Sequence, residues 1–143
     1  LKYLQSRIDD IAKGAALMTG TSVEYTWDFP WLAPTPVPTL YDFAAATAVD
    51  VGIPKNDIKK MTSFGSSDFG CVGYEIPAVN IWFPIAPEGT AGHSDAFRDA
   101  AISDFGQNQA ILAGKVLAVS AYRVATNTKL LAEIKAEFAK NKK

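Results

Sequence analysis

Cysteine and histidine are nearly absent from this sequence, which contains one residue of each, Cys71 and His93. A single cysteine excludes an internal disulfide and any zinc site built from several thiolates, and it gives no indication of an oxidising compartment. The simplest interpretation of Cys71 is a small buried apolar side chain. A single histidine cannot hold a metal ion unaided, so a metal site that uses His93 needs further ligands.

The sequence also lacks an excess of charge and a long apolar run. Its 14 basic and 15 acidic side chains leave a formal net charge of -1, which gives no electrostatic basis for binding nucleic acid or an anionic membrane. No run approaches the ~20 apolar residues of a membrane-spanning helix, and the first residues show no basic-then-apolar signal pattern. These absences predict a cytoplasmic protein that binds neither nucleic acid nor membrane.

Hydrophobic periodicity predicts an amphipathic helix at the start of the chain, with Gly20 as its C-terminal cap. The residues of its apolar face recur at steps of three and four, and they are Leu1, Leu4, Ile8, Ile11, Ala15 and Met18. Residues 22–28 then alternate polar and apolar, which predicts a half-buried strand with Val23, Tyr25 and Trp27 on one face.

Prolines then predict a domain boundary. An extended connector is expected over residues 29–37, because proline removes the backbone donors that a helix or sheet needs. Beyond it the pattern predicts a helix that ends at Gly52, a short strand over 57–64 and an interior strand over 79–83. From about residue 96 the pattern is helical, with one long helix over 107–125 and a last helix whose inward residues are Leu130, Leu131, Ile134 and Phe138.

One glycine-rich loop, residues 89–94, contains His93. Imidazole is a common metal ligand, and the nearby carboxylates Glu88, Asp95 and Asp99 could add oxygen ligands, although their spacing matches no metal-binding template. The alternative is a histidine that only makes hydrogen bonds within its loop.

The other glycine-rich loop, residues 65–70, has the sequence Gly-Ser-Ser-Asp-Phe-Gly. Gly65 and Gly70 would let the main chain approach a ligand, and the side chains between them would supply hydroxyl and carboxylate groups. The alternative is that Ser66, Ser67 or Asp68 caps a short helix. Neither a phosphate-binding loop nor the nucleophile elbow of a serine hydrolase fits the flanking residues.

Taken in order, four segments resemble the C-terminal portion of the aminoacylase and carboxypeptidase family of metal-dependent amidohydrolases. They are residues 65–70, 72–77, 89–94 and 130–135. The similarity is strongest to the branch with p-aminobenzoyl-glutamate hydrolase and aminoacylase-like dipeptidases. The resemblance implies an α/β fold. In that fold, residues 1–28 are the last helix and strand of a ferredoxin-like lid that mediates dimerisation. Residues 29–37 are the connector, and residues 38–143 are the C-terminal segment of a zinc-peptidase-like catalytic domain.

The resemblance also implies roles for individual residues. His93 matches a late metal ligand of a site with two divalent ions, zinc or else manganese or cobalt, which activate a bridging water against an amide carbonyl. Gly92 and the run Gly65, Ser66, Ser67 and Asp68 match the substrate side of that site. The implied substrate is an N-acyl amino acid or a dipeptide-like amide.

The chain departs from the family in what it does not contain. The bridging aspartate, the general-base glutamate and the other metal ligands would precede this segment, and Cys71 stands where relatives often have Asn or Asp. We therefore expect no catalytic residue in the segment, no stable metal binding and no activity by the chain alone. Two alternatives remain open, namely a non-catalytic assembly or dimerisation fragment and a small-ligand binding domain. The expected partners are a small amide substrate and a second copy of the chain, in a homodimer or higher self-association.

Overall fold

Regular secondary structure is entirely helical in the residues that the computed structural model describes, which are 1–61 and 67–142. A short 3-10 helix covers Lys55–Asp57. The α-helices are α1 (Lys2–Thr19), α2 (Pro38–Asp50), α3 (Phe69–Glu75), α4 (Asp95–Ala101), α5 (Asp104–Thr126) and α6 (Thr128–Asn141).

The α/β prediction is wrong, because no strand or sheet is present in the described residues. That part of the chain therefore shows neither the strand of a ferredoxin-like lid nor an α/β catalytic domain. Residues 22–28 and 79–83 have the composition of strands, but no backbone hydrogen bond joins them to another described segment. A strand is stable only when a neighbour pairs with it, and composition alone cannot provide that neighbour. Residues 57–61 form no strand either, and 62–64 lie outside the described residues.

The chain divides into two compact units, Leu1–Pro30 and Trp31–Lys143, with the division inside the proline-rich segment 29–37. In the first unit, α1 ends at Gly20 as predicted, in the left-handed conformation with φ of 65°. α1 contains no buried residue, and its apolar face is exposed. Its half-buried residues form the adjacent stripe Gln5, Asp9, Ala12 and Ala16.

A carboxylate joins α1 to the extended residues that follow it. Tyr25 donates its hydroxyl hydrogen bond to Asp9 Oδ1, and Trp27 Nε1 donates to the same oxygen at 2.9 Å. The two rings meet edge to face, with centroids 6.1 Å apart. We call this arrangement of Asp9, Tyr25 and Trp27 the Asp9 clip.

The Asp9 clip is expected to open at both extremes of pH. The hydrogen bonds from Tyr25 and then Trp27 lower the pKa of Asp9, so the clip stabilises the unit above the ordinary pKa of 3.8 and loses this effect as pH falls through the lower folded pKa. The bond to Asp9 raises the pKa of Tyr25 from 10.0 to about 12, so stabilisation is complete below 10.0 and is lost as pH rises through the higher value.

The measurement is the pH dependence of the Trp27 indole N–H resonance. Asp9→Asn should remove its acid transition. Asp10→Asn is the matched control, because Asp10 pairs with Arg7 and does not bond to the clip. An acid transition that persists in Asp9→Asn would contradict the assignment.

In the second unit, α2, α5 and α6 enclose the core. Val37, Leu40 and Ile134 form its centre, and Phe43, Val79, Val124, Leu130 and Phe138 pack against them. Of the four residues predicted on the inward face of α6, Leu130, Ile134 and Phe138 are confirmed in this core, whereas Leu131 is half-buried and is not among its residues. Val79, which was expected in a strand, instead adds its side chain to a core made by helices.

Polar contacts fix the two ends of α6. At its start, Asn127 Oδ1 accepts from the backbone N–H of Leu130 at 3.0 Å, which is an N-cap. Near its end, Glu137 accepts from the N–H of Thr39 in the first turn of α2, and Asn141 Nδ2 donates to the Pro36 carbonyl, both at 2.9 Å.

Candidate functional site

His93 lies between two tight turns that lead into α4. In the first turn, the N–H and the hydroxyl of Thr90 both donate to the Pro87 carbonyl, at 3.2 and 2.8 Å. In the second, Ser94 Oγ donates to the Ala91 carbonyl at 2.7 Å and accepts from the N–H of Phe97 as the N-cap of α4. His93 has φ of 57°, the one positive φ among the described residues other than glycine. Its backbone conformation is therefore set by its neighbours.

The His93 side chain is exposed, and Gly92 beside it is exposed as well. Among the described residues, the imidazole makes no hydrogen bond or ion pair. The alternative was a histidine that only makes hydrogen bonds within its loop. In the described part of the chain, the imidazole has no such hydrogen bond. The ring nitrogens remain available to bind a group from outside it.

The carboxylates considered as extra ligands are engaged elsewhere. Arg98 on α4 binds Asp95 and Asp99, each at 2.8 Å, so both carboxylates share one ion-pair partner within their own helix. Glu88 is exposed in the loop before His93. No cluster of three or more His, Cys, Asp or Glu side chains that could hold a metal ion occurs in residues 1–61 and 67–142.

The second predicted loop is partly described. Gly65 and Ser66 lie outside the described residues, whereas Ser67 and Asp68 are exposed at the start of α3. Ser67 Oγ accepts from the N–H of Phe69 at 3.2 Å, as in the capping alternative. No hydrogen bond or ion pair within the described ranges joins Ser67 or Asp68 to the His93 loop. A shared substrate site remains a prediction.

Glycines hold α3 against the extended residues 32–35, a contact that the sequence analysis missed. Gly70 and Gly73 are buried three positions apart, and a Cβ atom on Gly70 would lie 2.0 Å from the Leu32 carbonyl oxygen. The Gly73 carbonyl accepts from the N–H of Thr35 at 2.9 Å. The sequence predicts that Gly70 lets the main chain approach a ligand, but in the structure the absence of a side chain makes room for the backbone of Leu32. In the sequence, the three-residue spacing of Gly70 and Gly73 is the feature that could have indicated this close contact.

Cys71 is half-buried in the same contact, where its sulfur accepts from the N–H of Leu32 at 3.4 Å. It is therefore more exposed than the predicted buried apolar side chain. Its position on α3 makes it part of the packing between this helix and residues 32–35.

An open cavity of about 600 Å³ lies beside α4 and the start of α5. Its lining residues are mostly apolar and include one of the carboxylates considered as a ligand, Asp99; they are Ile85, Ala86, Pro87, Asp99, Ala100, Ser103 and Phe105. None of the described residues of the two glycine-rich loops lines it.

No family model and no curated protein matches the sequence. Of the described helices, none combines the length and the apolar composition that a bilayer crossing requires. The interpretation of the site therefore rests on its residues and their geometry.

Proposed function

We propose that this chain is part of a cytoplasmic metal-dependent amidohydrolase and supplies His93 as one ligand of a divalent metal ion. The substrate class is an N-acyl amino acid or a dipeptide-like amide. The observation that carries the proposal is the state of His93: an exposed imidazole without a partner in the described residues, on a backbone held in the left-handed region.

The backbone conformation adds weight because it is unfavourable. A left-handed conformation costs a residue with a side chain roughly 1–2 kcal/mol, and such costs concentrate at functional sites. The turns at Thr90 and Ser94 hold His93 in this conformation while its ring contributes no bond to the described structure. A ring that does not stabilise its own loop is free to serve a ligand.

The described residues do not complete a metal shell, so the proposal assigns the other ligands and the general base to polypeptide beyond this sequence. Within the assembled enzyme, His93 binds metal. Ser67 and Asp68, with Gly65 and Ser66 before them, bind the substrate, and Gly92 leaves space beside the imidazole. The exposed hydroxyl and carboxylate of Ser67 and Asp68 are compatible with this role.

His93→Gln is expected to lower the metal content of the longest natural polypeptide that contains this sequence and to reduce its hydrolysis of N-acyl amino acids by about 10-fold or more. Metal analysis and turnover should be measured together. The matched control is Asn108→Ala, an exposed residue of α5 outside both loops. The present chain alone should hydrolyse nothing, with zinc, manganese or cobalt added.

Two results would count against the proposal. Unchanged metal content and turnover in His93→Gln would remove His93 from the site. Tight, stoichiometric zinc binding by the present chain would show that it needs no ligands from elsewhere.

A second function, assembly, is favoured by a different observation. α1 exposes its large apolar side chains, with Ile11 at 66% and Met18 at 87%. A surface of this kind is typical of a segment that associates with another protein.

A further inference from the structure

The open cavity beside α4 lies apart from the described residues of both glycine-rich loops, and we call it the α4 cavity. Its volume of about 600 Å³ is within the range of protein cavities that hold small organic molecules. All of its lining residues fall within the segment 85–105. The α4 cavity is therefore formed by one continuous stretch of the chain, inside the unit Trp31–Lys143.

The walls of the α4 cavity are suited to an apolar group. Ile85 is half-buried and Pro87 is exposed where the chain enters the His93 loop. Phe105, at the start of α5, is 50% exposed, so half of its surface can still contact a ligand. An apolar ligand that covers these side chains would remove their surface from water, and an aromatic ring could also meet the ring of Phe105 edge to face.

Two polar residues line the α4 cavity, and they differ in how their side chains are engaged. The Ser103 hydroxyl donates to the Ala100 carbonyl at 2.7 Å and accepts from the N–H of Gly106 at 3.1 Å, as the N-cap of α5. Asp99 is exposed, and Arg98 contacts it with Nε at 2.9 Å and Nη2 at 2.8 Å, both at Oδ1. Asp99 Oδ2 accepts no hydrogen bond from the described residues, so it is available to a donor in the cavity.

The charge around the α4 cavity is negative. Segment 85–105 contains four acidic residues and one basic residue, which gives a formal charge of -3 with the histidine neutral. They are Glu88, Asp95, Asp99 and Asp104 against Arg98 alone. Because Asp95 and Asp99 share Arg98, the guanidinium offsets only one of these two carboxylates. The surroundings therefore favour a cation over an anion.

We propose that the α4 cavity binds a small organic cation, a primary ammonium group on an aromatic, apolar body. The ammonium group donates to Asp99 Oδ2, and the apolar body packs against Ile85, Pro87 and Phe105. An ammonium group has three donors and no acceptor, which matches a site with one available carboxylate oxygen. The inference goes beyond the amidohydrolase proposal and does not depend on it, because it uses no metal ion and neither glycine-rich loop.

Titration of the full chain with phenethylamine at neutral pH, followed by two-dimensional proton–nitrogen NMR, tests the site. We expect saturable shifts of the backbone resonances of Ala86, Ala100 and Ser103, with a Kd on the order of 1 mM, and none in α1. Phenylpropionate has a similar shape and the opposite charge, and it should bind about 10-fold more weakly or not at all.

The same ammonium chemistry occurs in a free amine and at the amino terminus of a peptide, and phenylalanylglycinamide distinguishes these two sources. Binding at least as tight as that of phenethylamine would assign the cavity to a peptide amino terminus. Weaker binding would assign it to a free amine.

Substitutions separate the two parts of the site. Asp99→Asn should weaken phenethylamine binding about 3-fold or more. Asp95→Asn is its matched control, because Asp95 has the same partner, Arg98, but is not a lining residue. Phe105→Ala should also weaken binding, whereas Phe97→Ala, at a 37% exposed position that is not a lining residue, should not. All four side chains are exposed, so circular dichroism should show equal helix content.

Three results would overturn the proposal. The first is the absence of saturable shifts at the lining residues. The second is equal affinity for phenethylamine and phenylpropionate. The third is an equal loss of affinity in Asp99→Asn and Asp95→Asn, which would show that the charge of the segment attracts the amine without a contact at Asp99.

Discussion

Gly70→Ala is expected to destabilise the unit Trp31–Lys143 by about 3 kcal/mol or more. The new Cβ would lie 2.0 Å from the Leu32 carbonyl oxygen and 3.2 Å from its carbon, which is far inside van der Waals contact. Both atoms are backbone, so no side chain can rotate away. Relief requires α3 to separate from residues 32–35, and that separation breaks the hydrogen bond between Thr35 and Gly73.

Urea unfolding of the variant measures this loss. Gly114→Ala is the matched control, because Gly114 lies inside α5 with nothing within 4 Å of its added Cβ. That variant should gain roughly 0.5–1 kcal/mol from helix propensity. Gly73→Ala should fall between the two, since its Cβ would meet the Pro34 side chain at 2.7 Å. Equal stability of the Gly70 and Gly114 variants would show that α3 does not pack as described.

Ile134→Ala should cost about 3 kcal/mol of unfolding free energy, within the range measured for large-to-alanine changes in cores. Ile134 is 2% exposed and forms the core centre with Val37 and Leu40. These residues come from α6, from the residue before α2, and from α2 itself. The cavity left by alanine would thus weaken contacts between segments far apart in the chain.

Ile111→Ala on α5 is the matched control, because it makes the same chemical change at an exposed position and so separates the effect of burial from that of the substitution itself. Ile111 is 58% exposed, so the same chemical change should shift the unfolding free energy by less than about 1 kcal/mol. Denaturant midpoints of the two variants would show the difference directly. A small loss for Ile134→Ala would place α6 outside the core.

Helix positions were largely predictable from the sequence because periodicity and caps are local signals. Gly20 and the long helix near 107–125 were found, and the structure extends the latter to Asp104–Thr126. Strands were not predictable in the same way. Val79 has a β-branched side chain in an apolar run, yet the described residues offer it no strand to pair with, and it packs against helices instead.

The candidate site was predictable in its residues but not in its geometry. The composition of the loop singled out His93, but its left-handed backbone depends on turns made by Thr90 and Ser94. The pairing of Asp95 and Asp99 with Arg98 follows from helical spacing on α4, which the sequence analysis did not use. Charges that look available in a sequence are often satisfied by their nearest neighbours.

The conformation of His93 places folding and chemistry in competition at a single position. With φ of 57°, the backbone alone would favour glycine, which has no Cβ to strain, and then asparagine. If selection acted only on folding, substitutions that replace His93 with glycine or asparagine would therefore be favoured. If sequences that have diverged elsewhere keep histidine at this position, that retention would indicate selection for the imidazole ring itself. Sequence comparison alone would then show this, without an activity assay.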